Sequence, residues 1–357
     1  MTTRSQAHSA ALILGIETSC DDTACAVVRG DGTVISSSVS SQLDAHRPYG
    51  GVVPEIASRE HLRNWPPVLH RALSEAGIGL DAIDAFAATR APGLIGSLLV
   101  GLSLGKGLAR GLDRPFYGVH HLEGHLYSPF LKTTLEAADL PPKSFVALVV
   151  SGGHSALYRV TEGEIETVAE TRDDAMGEVF DKVGKRLGLL YPQGPRVDEL
   201  AEAARGRARD FALARCTDGS LDFSFSGLKT ETLRALGAAL AGTDGSIEPS
   251  RVPGVAEILA GFRSAAVEQL LERLERLHRR EGFGLLAVSG GVAANRLLRR
   301  NLPEWSAARG VDLRLVELAY SGDNAAMIAH AAARRLAGGD PGDSWKLEAE
   351  SRERLGC

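Results

Sequence analysis

The sequence is poor in cysteine and has no paired arrangement of it. Its 357 residues include four cysteines, and no two of them form a Cys-x-x-Cys pair. The first ten residues are polar and do not resemble a secretory leader. Both absences argue against an oxidising compartment, so we expect a protein of the reducing cytoplasm.

Neither a basic excess nor a long apolar run is present. Lys and Arg number 40 against 45 Asp and Glu, a formal net charge of −5. This balance excludes a general basic field that would attract nucleic acid, so any RNA contact must be local or come from a partner protein. The longest apolar candidate, residues 92–105, is glycine-rich and shorter than the ~18–20 residues that span a bilayer. We therefore predict a soluble protein.

Common nucleotide-binding and protease motifs are also missing. The glycine pair Gly290 and Gly291 belongs to neither a Walker loop nor a Gly-x-Gly-x-x-Gly turn, so P-loop and Rossmann cofactors have no support. Zincin proteases place Glu directly after the first His of their motif, whereas Glu123 lies midway between His121 and His125. The zincin motif is therefore absent.

The length is suited to two lobes, because one hydrophobic core rarely serves a chain of this size. We place a disordered N-terminus at residues 1–10 and an N-terminal lobe at 11–140. A C-terminal lobe with a helical insertion is expected at 141–337, and an exposed tail at 338–357.

The N-terminal lobe opens with apolar runs that predict strands and continues in an α/β order with a mixed sheet. The expected strands are 12–16, 24–28, 34–40, 85–89 and 116–119, with helices at 56–76 and about 92–112. The turn between the first two strands, residues 17–23, is small and acidic. It could hold a phosphate or orient a metal-bound water, but ordinary hairpin turns have the same composition, so both readings stay open.

Histidines cluster directly after the last of these strands. In a helix that starts there, His121 and His125 are four residues apart and share a face, so both imidazoles can point at one ion. Asp323, just ahead of another predicted helix, is a distant third candidate. The spacing alone does not distinguish a metal site from a surface turn or a hydrogen-bonded helix start.

The strand order begins again after residue 143. Strands are predicted at 145–150, 155–160 and 165–170, and the turn between the first two contains Ser151, Gly152 and Gly153. Because this repeats the plan of the first forty residues, a duplicated unit is the economical explanation. Two such small-residue turns favour phosphate binding.

The rest of the second lobe is mostly helical. Asp173 and Asp174 are expected in the first turn of a helix in which Asp181 lies deeper, either as a solvated or capping group or as a ligand of ribose hydroxyls. Five apolar residues at helical spacing predict a buried helix face: Phe262, Ala266, Leu270, Leu274 and Leu277.

A last strand, 285–289, leads into the glycine turn 290–296. There the backbone is open to a flat base or a phosphate, and Asn295 could read a base edge or a hydroxyl. A strand at 313–316 and a helix at 325–336 close the lobe.

Together the motifs resemble one family, the bacterial tRNA adenosine threonylcarbamoyltransferase TsaD. The resemblance covers nearly all of residues 11–336 and rests on the separated motifs LGIETSCDDT, YGGVVPEIASR, PGLIGSLLVG, HHLEGH, VVSGGHSAL, GEVFDKVGK, DFSFSGLKT, SGGVAANR and SGDNAAMIAHA. It implies an α/β protein of the two-lobed actin-like, sugar-kinase-like (ASKHA) ATPase superfold, with duplicated ribonuclease-H-like units and helical insertions.

The resemblance also implies a set of site residues. His121, His125 and Asp323 would bind one divalent metal, with Fe(II) favoured and Zn(II) as the alternative, and His120 would not be a ligand. Glu17 matches the acidic residue of the first turn and is the candidate catalytic group. The implied substrate-binding residues are Val149, Val150, Ser151, Gly152, Gly153, Asp181, Gly194, Asp198 and Asn295.

Two positions depart from the family pattern. Ala91 and Gln193 stand where the family usually has glycine. If the backbone at Gln193 required a positive φ, the non-glycine residue would cost on the order of 1 kcal/mol and alter the adenylate loop.

The implied reaction is transfer of a threonylcarbamoyl group from threonylcarbamoyl-AMP to the N6 amine of adenosine 37 in tRNAs that read codons beginning with adenine. The implied partners are tRNA, a related TsaB-like dimer partner and a TsaE-like ATPase. The alternatives are a non-catalytic ATP-binding scaffold of the same superfold, a metalloprotease and a carbamoyltransferase that acts on a small molecule.

Overall fold

The computed structural model of the chain describes residues 10–132, 142–162, 164–214, 216, 218–241, 248 and 251–356. Residues 1–9 of the predicted disordered N-terminus lie outside these ranges. The chain divides into two compact units. Unit 1 comprises Met1–Lys143 and Val316–Cys357, and unit 2 comprises Ser144–Leu315.

Unit 1 is built on a mixed five-stranded sheet. Its strands are β1 Leu12–Glu17, β2 Asp22–Arg29, β3 Val34–Ser41, β4 Ala85–Ala91 and β5 Phe116–His120, in the spatial order β3-β2-β1-β4-β5. The first three strands pair antiparallel, whereas β4 and β5 continue parallel to β1. These strands confirm the strands that the apolar runs of the sequence predicted.

The helices of this part of unit 1 also follow the predicted pattern. They are α1 Leu43–His46, α2 Pro54–Ala76, α3 Ile95–Gly111 and α4 His121–Tyr127. Small residues on α3 face β4, which allows helix and sheet to pack closely. None of the helices in the described ranges is both long enough and apolar enough to cross a membrane.

Unit 2 repeats this sheet. Its strands are β6 Phe145–Val150, β7 Ser155–Thr161, β8 Glu164–Glu170, β9 Leu285–Ser289 and β10 Asp312–Leu315. They lie in the order β10-β9-β6-β7-β8, with β6 to β8 antiparallel and β9 and β10 parallel to β6. Read from the other edge, this is the order of unit 1, so the predicted duplication is confirmed.

The helices of unit 2 are α5 Met176–Arg186, α6 Gly194–Glu202, α7 Ser226–Ala239, α8 Val255–Glu281 and α9 Arg296–Ala307. All five residues of the predicted apolar stripe on α8 are buried. Asp173 and Asp174 precede α5 instead of lying in its first turn. The Asp173 carboxylate accepts from the backbone N–H of Phe225, 2.8 Å away, and of Ser226 at the start of α7, so it is held outside the helix.

The last helix, α10 Ala325–Ala337, belongs to unit 1 and not to the C-terminal lobe predicted at 141–337. It packs on β1, where Gly15 has no side chain: a Cβ placed there would lie 2.2 Å from the carbonyl oxygen of Ala325. An alanine-rich helix does not reveal in its own sequence which sheet it covers, so the boundary was predicted too late in the chain.

Residues 340–356, which we call the strap, are folded onto unit 1, whereas the sequence predicted an exposed tail. The backbone N–H of Asp343 donates to Phe116 O at 2.7 Å, and its carboxylate accepts from the N–H of Gly118 at 2.8 Å. Leu347 packs against the hydrophobic core of unit 1. The strap thus covers the outer edge of β5, which would otherwise expose unpaired backbone groups.

Candidate functional site

The helix α4, which carries His121 and His125, begins directly where β5 ends. His120 caps it, because its Nδ1 accepts from the N–H of Leu122 at 3.2 Å, while its Nε2 donates to Glu353 O at 3.2 Å. Burial lowers the pKa of His120 to about 4, so its ring is neutral at neutral pH. Both ring nitrogens are in use, and neither is available to a metal.

His121, His125 and Asp323 converge on one point. Asp323 Oδ1 lies 3.4 Å from His121 Nε2 and 3.3 Å from His125 Nε2. The three potential ligand atoms are all within 4.8 Å of one another. The structure therefore brings together the two histidines of α4 and the distant aspartate that the sequence singled out.

Two local structures carry Asp323 to the histidines. Asn324 caps α10, since its Oδ1 accepts from Met327 N at 3.0 Å while its Nδ2 donates to the carbonyls of Tyr320 and Gly322. These bonds fix the turn that presents Asp323. The helix α10 also packs against α4, so the two chain segments that form unit 1 meet at this site.

Glu17 lies behind His121, at the end of β1, and is almost completely buried. Its Oε2 accepts from His121 Nδ1 at 3.1 Å and from the Thr89 hydroxyl at 2.5 Å, and its Oε1 accepts from Ser19 N at 2.5 Å. A carboxylate that takes the second ring N–H of a histidine fixes the tautomer and orientation of that ring. The catalytic role expected of Glu17, which is to orient or deprotonate the attacking amine, remains a prediction.

Thr89 is a site residue that the sequence reasoning missed. Ile16 of β1 pairs with Ala88 of the parallel strand β4, so the next residues, Glu17 and Thr89, reach the same edge of the sheet together. A polar residue at the end of a buried parallel strand was the signal that could have identified it.

The charges of the cluster alternate. Burial acts to lower the pKa of His121, but the carboxylates of Asp323 and Glu17 hold it well above its ordinary value. Burial lowers the pKa of His125, which is therefore neutral. Burial acts to raise the pKa of Asp323 and of Glu17, yet His121 holds both below their ordinary values. Both carboxylates are thus ionised and ready to stabilise positive charge.

The residues present fit a divalent ion. Within the described part of the chain, neither buried ring nitrogen of His125 makes a hydrogen bond, although Nε2 lies 3.3 Å from Asp323 Oδ1. Such an arrangement is costly unless another ligand is bound. Two ligands each ~2.0–2.1 Å from a tetrahedral ion are about 3.4 Å apart, which matches the separations of 3.3 and 3.4 Å from Asp323 to the histidines. The three residues can hold one metal ion.

In unit 2 the turn after β6 is open at its backbone. Ser151 N donates to His154 O at 2.8 Å, and the Ser151 hydroxyl accepts from His154 N. A Cβ placed on Gly152 or Gly153 would meet no atom within 4 Å. Val149 and Val150 are fully buried in β6, so they can offer a ligand only backbone groups. This exposed backbone can accept a phosphate.

Asp181 of α5 orders the loop that precedes α6. Its Oδ1 accepts from the N–H of Gln193 at 2.9 Å and of Gly194 at 2.8 Å, which leaves Oδ2 outside these two bonds. Burial raises the pKa of Asp181. Gln193 has φ −83° and ψ −29°, so the backbone there does not need glycine. The strain that a non-glycine residue would have at a positive φ is therefore absent.

Asp198 and Asn295 bind each other. Asp198 Oδ1 accepts from Asn295 Nδ2 at 2.9 Å and from the buried Arg263 guanidinium at 3.1 Å. Asn295 Oδ1 caps α9 by accepting from the N–H groups of Leu297 and Leu298. Much of the polar capacity of both residues is thus used inside unit 2, and Arg263 is a partner that the sequence reasoning missed.

Comparison with known proteins identifies the family. A model of the family "tRNA N6-adenosine threonylcarbamoyltransferase", TsaD, matches residues 33–330. The chain belongs to the TsaD family. Among curated TsaD proteins, that of Salinibacter ruber is 49% identical over 92% of this chain and 95% of the relative. That of Geobacter sp. is 46% identical over 89% of both chains.

Solved structures support the fold at much lower identity. The (R)-2-hydroxyglutaryl-CoA dehydratase component A of Acidaminococcus fermentans is 15% identical, with a TM-score of 0.52 over 92% of this chain and 100% of that one. HypF of T. kodakarensis is 14% identical, with a TM-score of 0.57 over 92% of this chain and 48% of that one. With the two duplicated sheets, these similarities confirm the actin-like, sugar-kinase-like superfold that the TsaD resemblance implied.

Proposed function

We propose that this chain transfers a threonylcarbamoyl group from threonylcarbamoyl-AMP to the N6 amine of adenosine 37 in tRNAs that read codons beginning with adenine. The observation that carries the proposal is the cluster of His121, His125 and Asp323, with His121 held by Glu17, in a TsaD-family chain.

The reaction is an acyl transfer. The N6 nitrogen attacks the carbamoyl carbonyl carbon, a C–N bond forms, the C–O bond to the phosphate breaks, and AMP leaves while the amine loses one proton. The amine is conjugated with the purine ring and attacks poorly. The rate therefore depends on a polarised carbonyl and on exact placement of the two reactants.

The three clustered residues would hold the metal. A divalent ion bound there would supply Lewis-acid stabilisation of the charge that develops during attack. We favour Fe(II), because two histidines and one carboxylate with open positions are typical of that ion, and keep Zn(II) as the alternative. His121 would keep a proton on Nδ1, which Glu17 accepts as a hydrogen bond, and would present Nε2 as the ligand.

Unit 2 would bind the adenylate. The backbone N–H groups of Gly152 and Gly153 and the Ser151 hydroxyl are suited to the phosphate, and Asp181 Oδ2 is suited to a ribose hydroxyl. Val149 and Val150 would support this turn from β6. Asp198 and Asn295 would shape the nucleoside site, because Asp198 of α6 accepts from Asn295 and from the first residue of α9. Gly194 would shape it from the start of α6, where its N–H donates to Asp181 of α5.

Companion proteins complete the proposal. With a net charge of −5 the chain is poorly suited to hold tRNA alone, so we propose a TsaB-like dimer partner and a TsaE-like ATPase in the cytoplasm, where tRNA is modified. Leu62 of α2 and Ile95 and Leu99 of α3 are large apolar side chains that are 61%, 48% and 49% exposed. They offer an apolar surface for such a partner.

The test is a transfer assay with preformed threonylcarbamoyl-AMP, unmodified tRNA and the two companions, read by nucleoside mass spectrometry. We expect modified adenosine from the parent chain and at least ~100-fold less from His121→Ala, because the metal would be lost. His70→Ala is the matched control, since His70 is exposed on α2 and far in sequence from the cluster.

Each alternative gives a different result. Product on a free metabolite and none on tRNA would favour a small-molecule carbamoyltransferase. Equal activity of the parent and His121→Ala would remove the metal from the mechanism. No product from the parent, with companions that are active beside another TsaD protein, would overturn the transferase and favour a scaffold.

A further inference from the structure

The strap, residues 340–356, lies beyond residues 33–330 that the family model matches. Its first part is tied to the edge of the unit 1 sheet. Arg335 of α10 binds the carboxylates of Asp340 at 2.7 Å and Asp343 at 2.9 Å, and the Tyr117 hydroxyl donates to Asp340 O. The strap therefore starts from a fixed point on α10.

The middle part of the strap packs against the hydrophobic core of unit 1. Leu347 lies against Gly118 so closely that a Cβ on that glycine would be 2.2 Å from the leucine Cδ2. Lys106 of α3 donates to the carbonyls of Trp345 and Leu347, and the guanidinium of Arg110 lies 5.6 Å from the centre of the Trp345 ring. These contacts direct the end of the strap toward β4 and α4.

The end of the strap reaches the start of the metal-binding helix. Glu350 N donates to Arg90 O at 2.9 Å, and the Arg90 guanidinium donates two hydrogen bonds to the Glu353 carboxylate. The carbonyl of Glu353 then accepts from His120 Nε2 at 3.2 Å. Glu353 thus binds β4 with its side chain and the cap of α4 with its backbone.

We infer that Glu353 and Arg90 form a positioning site for the metal-binding helix. Arg90 holds Glu353, Glu353 holds His120, and His120 caps the helix that carries His121 and His125. The inference rests on the metal centre of the proposed function. It adds that the geometry of this centre depends on a segment outside the matched family region.

The strap is also connected to His121 through a second set of hydrogen bonds, which includes Glu17. Arg90 directly follows Thr89, whose hydroxyl binds Glu17 behind His121. Ser351 of the strap accepts from Gly93 N at 3.4 Å, and Leu94 N next to it donates to Ser19 O at 2.9 Å, in the turn that also binds Glu17. Loosening the strap would therefore disturb His121 from both its helix and its carboxylate partner.

The experiment compares three full-length variants and one truncation. Glu353→Gln removes the charge that Arg90 binds, Arg90→Met removes the donor, and deletion of residues 353–357 also removes the carbonyl that His120 uses. Glu350→Gln is the matched control on the same strap, because the Glu350 side chain is exposed and its backbone bond to Arg90 is kept.

Two readouts separate positioning from general stability. Hydrogen exchange of the metal-free protein reports the amides of α4, and Zn²⁺ affinity is measured by competition with a chromogenic chelator. We expect exchange in α4 to rise at least ~10-fold in Glu353→Gln and further in the truncation. We expect Zn²⁺ affinity to fall about 10-fold, as for other partners that orient metal ligands. Glu350→Gln should match the parent.

Exchange in α4 that is unchanged in both Glu353→Gln and the truncation would overturn the inference. An increase spread evenly over unit 1, with Zn²⁺ affinity unchanged, would also overturn it, because the strap would then only brace the fold. If the parent binds neither Zn²⁺ nor Fe²⁺ through His121, the proposed metal centre fails, while exchange in α4 still decides whether Glu353 positions the helix.

Discussion

The two sheets share one strand order, yet their first turns use different chemistry. In unit 1 the turn after β1 is acidic, and Glu17 points inward to hold His121. In unit 2 the turn after β6 carries Gly152 and Gly153, and nothing lies over its backbone within 4 Å of either Cβ position. At its first turn one copy of the sheet presents side chains, and the other presents open main chain. A duplicated fold thus fixes where such a turn lies, and the turn residues decide which chemical groups it presents.

The largest effect is expected at Gly290, in the second glycine turn of unit 2, which follows β9 and lies against the end of β6. Gly290 has φ +92°, and a Cβ there would lie 2.3 Å from Val150 O. Gly290→Ala should lower the free energy of unfolding by about 3 kcal/mol, from a strained φ and an overpacked contact. Gly291→Ala is the control, because its Cβ position is free of contacts within 4 Å. Chemical denaturation measures both, and equal stability of the two variants would contradict the close backbone approach between Gly290 and Val150.

In unit 1 the matching experiment changes a side chain, the carboxylate of Glu17 at the end of β1. Glu17→Gln keeps the size of the residue but weakens its hold on His121 Nδ1, so we expect Zn²⁺ affinity to fall between ~10-fold and ~100-fold. Thr89→Val removes one of the donors to Glu17 and should have a smaller effect. Competition with a chelator measures both affinities. Parent-like binding by Glu17→Gln would mean that the carboxylate does not orient the ligand.

Local features of this molecule could be predicted from the sequence, but its long-range partners could not. The apolar runs of β6 and β9 and the spacing of His121 and His125 are visible within a few residues, because strand and helix periods are local. The residues alone offered Asp323 only as a distant third candidate, and the family resemblance matched it to the histidines. Its position depends on the packing of α10 against unit 1. Nothing local in residues 340–356 indicates that Glu353 reaches His120.

The acidic turn of unit 1, between β1 and β2, carries an electrostatic cost that the turn with Gly152 and Gly153 in unit 2 lacks. Burial, with the nearby charges of Asp21, Asp323 and Glu17, raises the pKa of Asp22 from 3.8 to about 7. Because this folded pKa lies above the unfolded one, the cost appears as pH rises above 4 and is complete above about 7. Asp22→Asn should thus raise the unfolding free energy of the metal-free protein by on the order of 2 kcal/mol at pH 8, and by little at pH 4.

Thermal unfolding in a chelator at both pH values measures this effect. Asp44→Asn is the control, since the Asp44 side chain is 88% exposed. A gain at pH 4 equal to that at pH 8 would show that the carboxyl charge is not the cause.

The smallest effect is expected where the chain departs from its family. Gln193→Gly restores the usual residue of TsaD proteins, but Gln193 already has a right-handed backbone, with φ −83°. Its backbone N–H and that of Gly194 both donate to Asp181, and these bonds do not depend on the side chain. We therefore expect AMP affinity, measured by calorimetry, to change less than about twofold, while the unfolding free energy falls by about 1 kcal/mol through lost packing and added chain entropy. A tenfold change in AMP affinity would mean that the Gln193 side chain itself takes part in the adenylate site, beside the groups of unit 2 proposed above.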